Sequence, residues 1–299
     1  MAYTPEMEFY KKRQFGDKIN ATFTFLRENA WFYIKQQLIV AGPILLIVNI
    51  LMNRLSVDFF GFAEGEFTAD MLISFFQVYG LALIANLITA TLVPIITFNY
   101  MKAYQQYPPA MINTQMVTKN LGTKFFMLFG FNLIAFFLIL IGFFIFLIPG
   151  IYLAIVMALG SSIIVFEDNN PIDAIGRAFT LIKGKWWSTF GLLLVMTLIG
   201  YVISALFGLP RTIVFGLKAF TTAAEGGELS TLADMSLGEE ILSIVFSVLE
   251  TFGSILLYSL TYMTMAFQYF NLVERRESRG LMTKIEGMDV EQDDDDDTF

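Results

Sequence analysis

The chain has 299 residues, of which 56% are hydrophobic and 15% charged, with a formal net charge of −8. Ordinary soluble domains carry about a quarter charged residues, so this composition excludes that class and indicates an integral membrane protein. There is no Cys and no His, which excludes disulfide frameworks, thiolate chemistry, haem ligation by His and the usual Cys/His zinc sites.

The first thirty residues hold Glu6, Glu8, Lys11, Lys12, Arg13, Asp17 and Lys18 and leave no apolar core for a cleavable signal. The first span is therefore expected to serve as an uncleaved insertion signal. Crossing the hydrocarbon takes about 20 apolar residues, and six spans are predicted on that basis. The first runs Ile34 to Met52, with a kink at Gly42-Pro43, and the second runs Met71 to Phe98 with Asn86 and Pro94 inside it. Phe125 to Phe166 is one apolar stretch of 42 residues, long enough for two crossings, and Pro149-Gly150 is the expected turn between them. Trp186 to Leu209 and Ile241 to Phe270 are the fifth and sixth spans. Gly122 and Gly130 are spaced for helix packing.

Of the nineteen cations, all but Arg54, Arg211 and Lys218 fall on one side of this topology. The positive-inside rule puts both termini in the cytoplasm. The outer connections are acidic instead, with Asp58, Glu64, Glu66 and Asp70 in the first and Glu225, Glu228, Asp234, Glu239 and Glu240 in the third. The expected setting is a bacterial inner membrane.

"DAIGRAFTLIKGKWW", residues 173 to 187, is longer than a reversal needs. Asn170 is a cap, Pro171 suits a first helical position, and Asp173 complements the helix dipole. Ile172, Ile175, Phe179 and Ile182 recur at helical spacing, and Trp186-Trp187 mark the headgroup level. The segment reads as an elbow helix lying in the interface. It aligns without a gap on "DKINATFTFLRENAW", 156 positions earlier, where Asp17, Ile19, Phe23, Thr24 and Trp31 repeat. A weaker copy, "KFFMLFG" against "KWWSTFG", lies 61 positions before the last. The fold expected is all-α: six transmembrane helices with three cytoplasmic elbows, an internal triplication with units near 9–100, 108–166 and 170–272. Residues 1–288 form one membrane domain and 289–299 an acidic tail.

"LIPGIYLAIVMALGSSIIVFEDNNPIDAIGRAFTLIKGKWWSTFGLLL" resembles the membrane domain associated with glycerophosphoryl diester phosphodiesterases and its stand-alone relatives. The shared pattern is Pro-Gly-Ile-Tyr, an acidic residue after the fourth span, Pro-x-x-Ala, an arginine, then Lys-Gly-x-Trp. "FQYFNLVERRESRGL" is similar to that family's aromatic-rich close. The resemblance implies a six-span protein, mostly bacterial, without an established activity. The catalytic barrel of fused members has no room here.

No group of general acid, base and nucleophile is visible, nor a phosphate-cradling Gly loop, so no catalytic, cofactor or metal site and no nucleic-acid partner is expected. Glu250 is the one ionisable residue well inside a span, with no cation in the spans to pair with it. It reads either as a neutral or interfacial group or as a proton- or ion-coupling carboxylate. Glu167, Asp168 and Asp173 read as elbow caps. Lys18, Arg27, Arg177, Lys183 and Lys185 are candidate contacts for anionic headgroups. Asn49, Gln77, Asn86, Asn99 and Asn132 show no motif. The tail residues Asp293, Asp294, Asp295, Asp296 and Asp297 form a solvated extension or a surface for a basic partner. The expected function is non-enzymatic, organising lipids or partner proteins in a membrane complex, and a transporter using Glu250 is the alternative.

Overall fold

A computed structural model describes residues 3, 5–51, 69–227 and 235–285, so the acidic tail lies outside the described residues. All regular structure among them is helical. The order is α1 Phe15–Val40, α2 Gly42–Leu51, α3 Ala69–Tyr104, α4 Thr114–Val117, α5 Leu121–Ile145, α6 Leu147–Met157, α7 Gly160–Glu167, α8 Pro171–Ile182, α9 Trp186–Ala224 and α10 Leu237–Glu277. A short 3-10 turn, Pro109–Met111, precedes α4, and residues 279–285 add a last helical segment, α11. Among the described residues there are five stretches long and apolar enough to cross a membrane, with α4 and α5 counted together and α6 and α7 counted together, and six if α1 and α2 count as one bent span.

α10 is the axis of the lysine-rich end. Every residue from Met263 to Glu274 is buried, because α1, α3, α7, α8 and α9 all pack around it. A helix with no exposed face must sit in a core. The chain before α1 closes the end of the bundle: Phe9 stacks on Phe270 with ring centres 5.1 Å apart, and Asn271 Oδ1 accepts from the Arg13 amide at 2.8 Å. Burial pulls the Arg13 guanidinium below its ordinary pKa.

Further along, α1, α3 and α10 share a polar seam. Tyr33 Oη donates to Ser259 Oγ at 2.7 Å and lies 2.9 Å from Thr97 Oγ1, while Gln37 Nε2 donates to Tyr33 at 2.7 Å. Asn132 has a defined task. Pro94 cannot donate to the Ala90 carbonyl four residues back, and Asn132 Nδ2 at 3.3 Å and Tyr262 Oη at 3.5 Å approach that oxygen instead. Asn49 donates to Thr251 Oγ1 at 2.9 Å, and Asn86 lies 3.5 Å from Tyr258 Oη. These asparagines join helices, whereas Gln77 is exposed.

The structure moves several predicted boundaries. α1 continues through Trp31 without a break, and the chain bends by 60° only where α2 begins, at Gly42-Pro43. Its apparent copy does break, because Gly184 leaves α8 with φ +76°. The residue aligned with Gly184 is Glu28, and a side chain at positive φ costs roughly 1–2 kcal/mol. The first elbow is therefore not separate from the helix that follows it. Between the third and fourth predicted spans the break is the extended residue Phe146, not Pro149-Gly150, and Pro149 lies in the first turn of α6, where no N–H is missed. α9 runs past Leu209 and through Pro210 and Arg211. With 39 and 41 residues, α9 and α10 are about 58 and 61 Å long, beyond the ~40–45 Å of a bilayer with its headgroups.

The packing glycines also differ from those expected. A Cβ on Gly122 or Gly130 would meet nothing within 4 Å, whereas one on Gly142 would lie 2.9 Å from the Gly150 Cα across the α5–α6 turn. Small residues there let two backbones touch. Gly142→Ala is predicted to destabilise the protein by about 1–3 kcal/mol through forced separation of α5 and α6. Gly130→Ala should be neutral or gain up to ~1 kcal/mol of helix propensity. Thermal unfolding of the two purified variants decides this, and equal melting temperatures would show that the α5–α6 contact is not closed.

A candidate anion site at the lysine-rich end

Sixteen residues separate the end of α3 from the start of α5, and one side chain organises that connection. Asn99 Nδ2 donates to the Val117 carbonyl at 2.8 Å and to the Lys119 carbonyl at 3.2 Å, pinning the turn against α3. α4 is itself capped by Asn113, whose Oδ1 accepts from the Met116 amide. Asn120 then takes φ +56° and starts α5, but its side chain makes no capping bond. The positive end of a 25-residue helix is thus left facing the turn.

The other Asn99 atom, Oδ1, accepts from Lys124 Nζ at 2.8 Å. Lys124 is 7% exposed. An ammonium has three donors, and Asn99 meets one of them. Asp168, which ends α7 with φ +55°, brings its carboxylate toward two lysines at once. Oδ1 lies 3.7 Å from Lys124 Nζ and Oδ2 lies 3.5 Å from Lys102 Nζ. Charge-assisted hydrogen bonds close to about 2.7–2.9 Å. Elsewhere in this protein they do: Lys218–Glu239 and Lys284–Glu8 are both 2.7 Å. The Glu8 carboxylate accordingly raises the Lys284 pKa above its ordinary value. Asp168 therefore stands between its lysines without closing on either.

These groups line a cavity of about 300 Å³. Lys102, Lys119 and Lys124 contribute three cations to it and Asp168 one carboxylate, with Asn99, Asn120 and Gln106 as neutral polar walls. What converges here is a positive, hydrogen-bond-donating recess, suited to an anion. Among the described residues no three acidic side chains gather as metal ligands would.

The residues singled out from sequence are distributed differently. Lys18 is 2% exposed, and its Nζ donates to Gln268 Oε1 at 2.7 Å and Ser188 Oγ at 3.1 Å. It joins α1 to α9 and α10 and cannot face a headgroup. Arg177 is also committed: its Nε and Nη2 grip both oxygens of Glu167 at 2.9–3.1 Å, and Nη2 lies 2.5 Å from Glu277. Tyr269 Oη donates to the same Glu167 at 2.9 Å. Glu167 is thus an ion-pair partner, and neither it nor Asp168 caps α8. The cap is Asn170, whose Oδ1 accepts from the Ile172 and Asp173 amides at 3.0 Å, with Pro171 and Asp173 in the first turn. Arg27, Lys183 and Lys185 remain exposed at this end. α8 buries Ala174, Ala178, Leu181 and Ile182 and leaves Ile172 and Phe179 outside.

Glu250 is not without a cation. Because α9 continues past Leu209, Arg211 reaches it, with Nε 4.0 Å from Oε1. The same guanidinium lies 5.2 Å over the Phe215 ring and 3.4 Å from Ser243 Oγ. Sequence reasoning placed Arg211 in a loop and so missed the pair. It also missed the cavity: Lys102, Lys119 and Lys124 counted only toward orientation, and Asp168, some forty residues on, gave no sign of folding back to them.

Removing Arg177 would leave Glu167 largely buried beside Tyr269 with its ionic partner gone. Arg177→Gln is predicted to cost about 1–3 kcal/mol of stability, the penalty for an orphaned polar group at a partly buried site. Adding Glu167→Gln should restore part of it, read by denaturation of single and double variants. Strict additivity of the two losses would contradict the pairing.

No curated protein and no solved structure matches the chain. Residues 77–272, from within α3 to within α10, match the family described as a domain of unknown function, DUF7847. That match covers well over half of the 299 residues and takes in every lysine of the cavity, so the chain belongs to the DUF7847 family.

Proposed function

We propose that this is a non-enzymatic membrane protein that holds anionic headgroups, or partners bearing them, at the lysine-rich end of its bundle. The observation that carries the proposal is the cavity between α3, α5 and α7, where three lysines meet one loosely held carboxylate. An isolated cation cluster of this kind repels itself unless an anion joins it, and headgroup phosphates are the anions at hand on a membrane surface.

In this proposal the lysine-rich end faces the cytoplasm of a bacterial inner membrane, as the cation distribution favours. α8 then lies along the interface with Ile172 and Phe179 toward lipid. Trp31 and Trp187, the aligned tryptophans of the repeat, are 77% and 76% exposed and suit the headgroup belt. The resemblance to the phosphodiesterase-associated membrane domain would then be one of a lipid-facing scaffold. A transporter reading loses support, since Arg211 shares the charge of Glu250.

The test is retention of anionic lipid by the purified full chain, measured by native mass spectrometry after mixing with phosphatidylcholine and phosphatidylglycerol. Each surface cation contributes about 1 kcal/mol, so Lys102→Gln with Lys119→Gln should weaken retention about thirtyfold. Both side chains reach solvent, so the fold should survive. Unchanged retention would remove the proposal.

A further inference from the structure

We infer that the preferred ligand of the cavity is a dianionic phosphate monoester, seated where the Asp168 carboxylate now stands. The inference rests on the anion-holding proposal and adds the class of anion.

Charge is the first ground. Three ammoniums against one carboxylate leave a surplus of two positive charges around one recess. A phosphodiester carries one negative charge, whereas a monoester carries about −1.5 to −2 at neutral pH, its second pKa being near 6. Once Asp168 gives up its place the recess presents three ammoniums, and the monoester's charge comes closer to meeting them than the diester's single one.

Geometry is the second. Asp168 offers two oxygens in a plane, and they address Lys124 and Lys102 at 3.7 and 3.5 Å. The third lysine of the cavity, Lys119, makes no ion pair with it. A phosphoryl group is larger and presents three terminal oxygens in a pyramid, one for each ammonium. The start of α5, uncapped by Asn120, adds positive potential on the same side. About 300 Å³ is at the lower limit for a small-molecule pocket, enough for a phosphoryl group and a glycerol-sized stem.

Asp168 then acts as an internal competitor. Its carboxylate is 68% exposed, so it can turn to solvent when a stronger anion arrives. Its backbone is left-handed, a conformation that Asn adopts as readily as Asp. Asp168→Asn therefore removes the competing charge with no change in backbone demand, and it should tighten the ligand.

A monoester of this kind can come from a lipid such as phosphatidate or from a soluble phosphate ester. The experiment titrates the full chain in neutral detergent with phosphatidate, with phosphatidylglycerol of the same acyl chains, and with glycerol 3-phosphate, against a phosphatidylcholine background. Binding is read as ligand-induced thermal stabilisation. Phosphatidate is expected to bind at least tenfold tighter than phosphatidylglycerol. Asp168→Asn should tighten phosphatidate about fivefold and Lys119→Gln should weaken it about fivefold. Displacement of phosphatidate by glycerol 3-phosphate would support the inference with a soluble source, and failure to displace it would support a lipid source. Equal binding of phosphatidate and phosphatidylglycerol, both above phosphatidylcholine, would overturn the monoester and leave the anion proposal standing. No preference over phosphatidylcholine would overturn both. An unchanged affinity in Asp168→Asn would show that its carboxylate does not occupy the ligand's place.

Discussion

Taking an ammonium out of water costs several kcal/mol unless acceptors replace the lost hydration, and the lysine-rich end of this bundle buries two. Lys18 is met at short range by neutral oxygens of Gln268 and Ser188, and the helices close over it. Lys124 is met by Asn99 at 2.8 Å and by a carboxylate held too far away. Both are lysines near the start of a helix, yet the first is finished by the protein and the second is not. That difference, more than the number of cations, separates a structural lysine from one available to a ligand.

The rest of the fold serves this end. α10 runs through its centre, buried on all sides from Met263 to Glu274, and fixes the relative positions of α1, α3, α7, α8 and α9. Arg177 ties α8 to Glu167 at the end of α7, one residue before Asp168. Arg177, which sequence suggested as a lipid contact, therefore anchors the backbone just before Asp168 and leaves the Asp168 side chain free to turn. At the opposite end α9 and α10 run on beyond the thickness of a bilayer, with Arg211–Glu250 and Lys218–Glu239 pairing the charges between them. Those two pairs tie α9 to α10 at that end.

Sequence pattern carried the apolar segments, the Asn170–Pro171 start of α8 and the bend at Gly42-Pro43, because each depends on neighbours within a few residues. Local rules failed where one residue altered the outcome. Glu28 in place of a glycine let α1 run on where α8 stops. Phe146, with no turn signature, made the reversal that Pro149-Gly150 was expected to make. Long-range charge was the least legible. Arg211 lies 39 residues from Glu250 and Lys102 lies 66 from Asp168, and no spacing rule joins such partners. Asn99 looked like a stray polar residue because its acceptors and donors are backbone atoms and a lysine across a turn.

The central claim is that an anion completes the recess between Lys102, Lys119 and Lys124. Its most direct test is an experimental structure of the full chain in a bilayer disc containing phosphatidate, at a resolution that shows phosphate groups. Density for a phosphoryl group within hydrogen-bond reach of Lys124 and Lys102, with Asp168 turned outward, is the predicted result. A cavity filled by water alone, with Asp168 drawn in to about 2.8 Å from either lysine, would contradict the account.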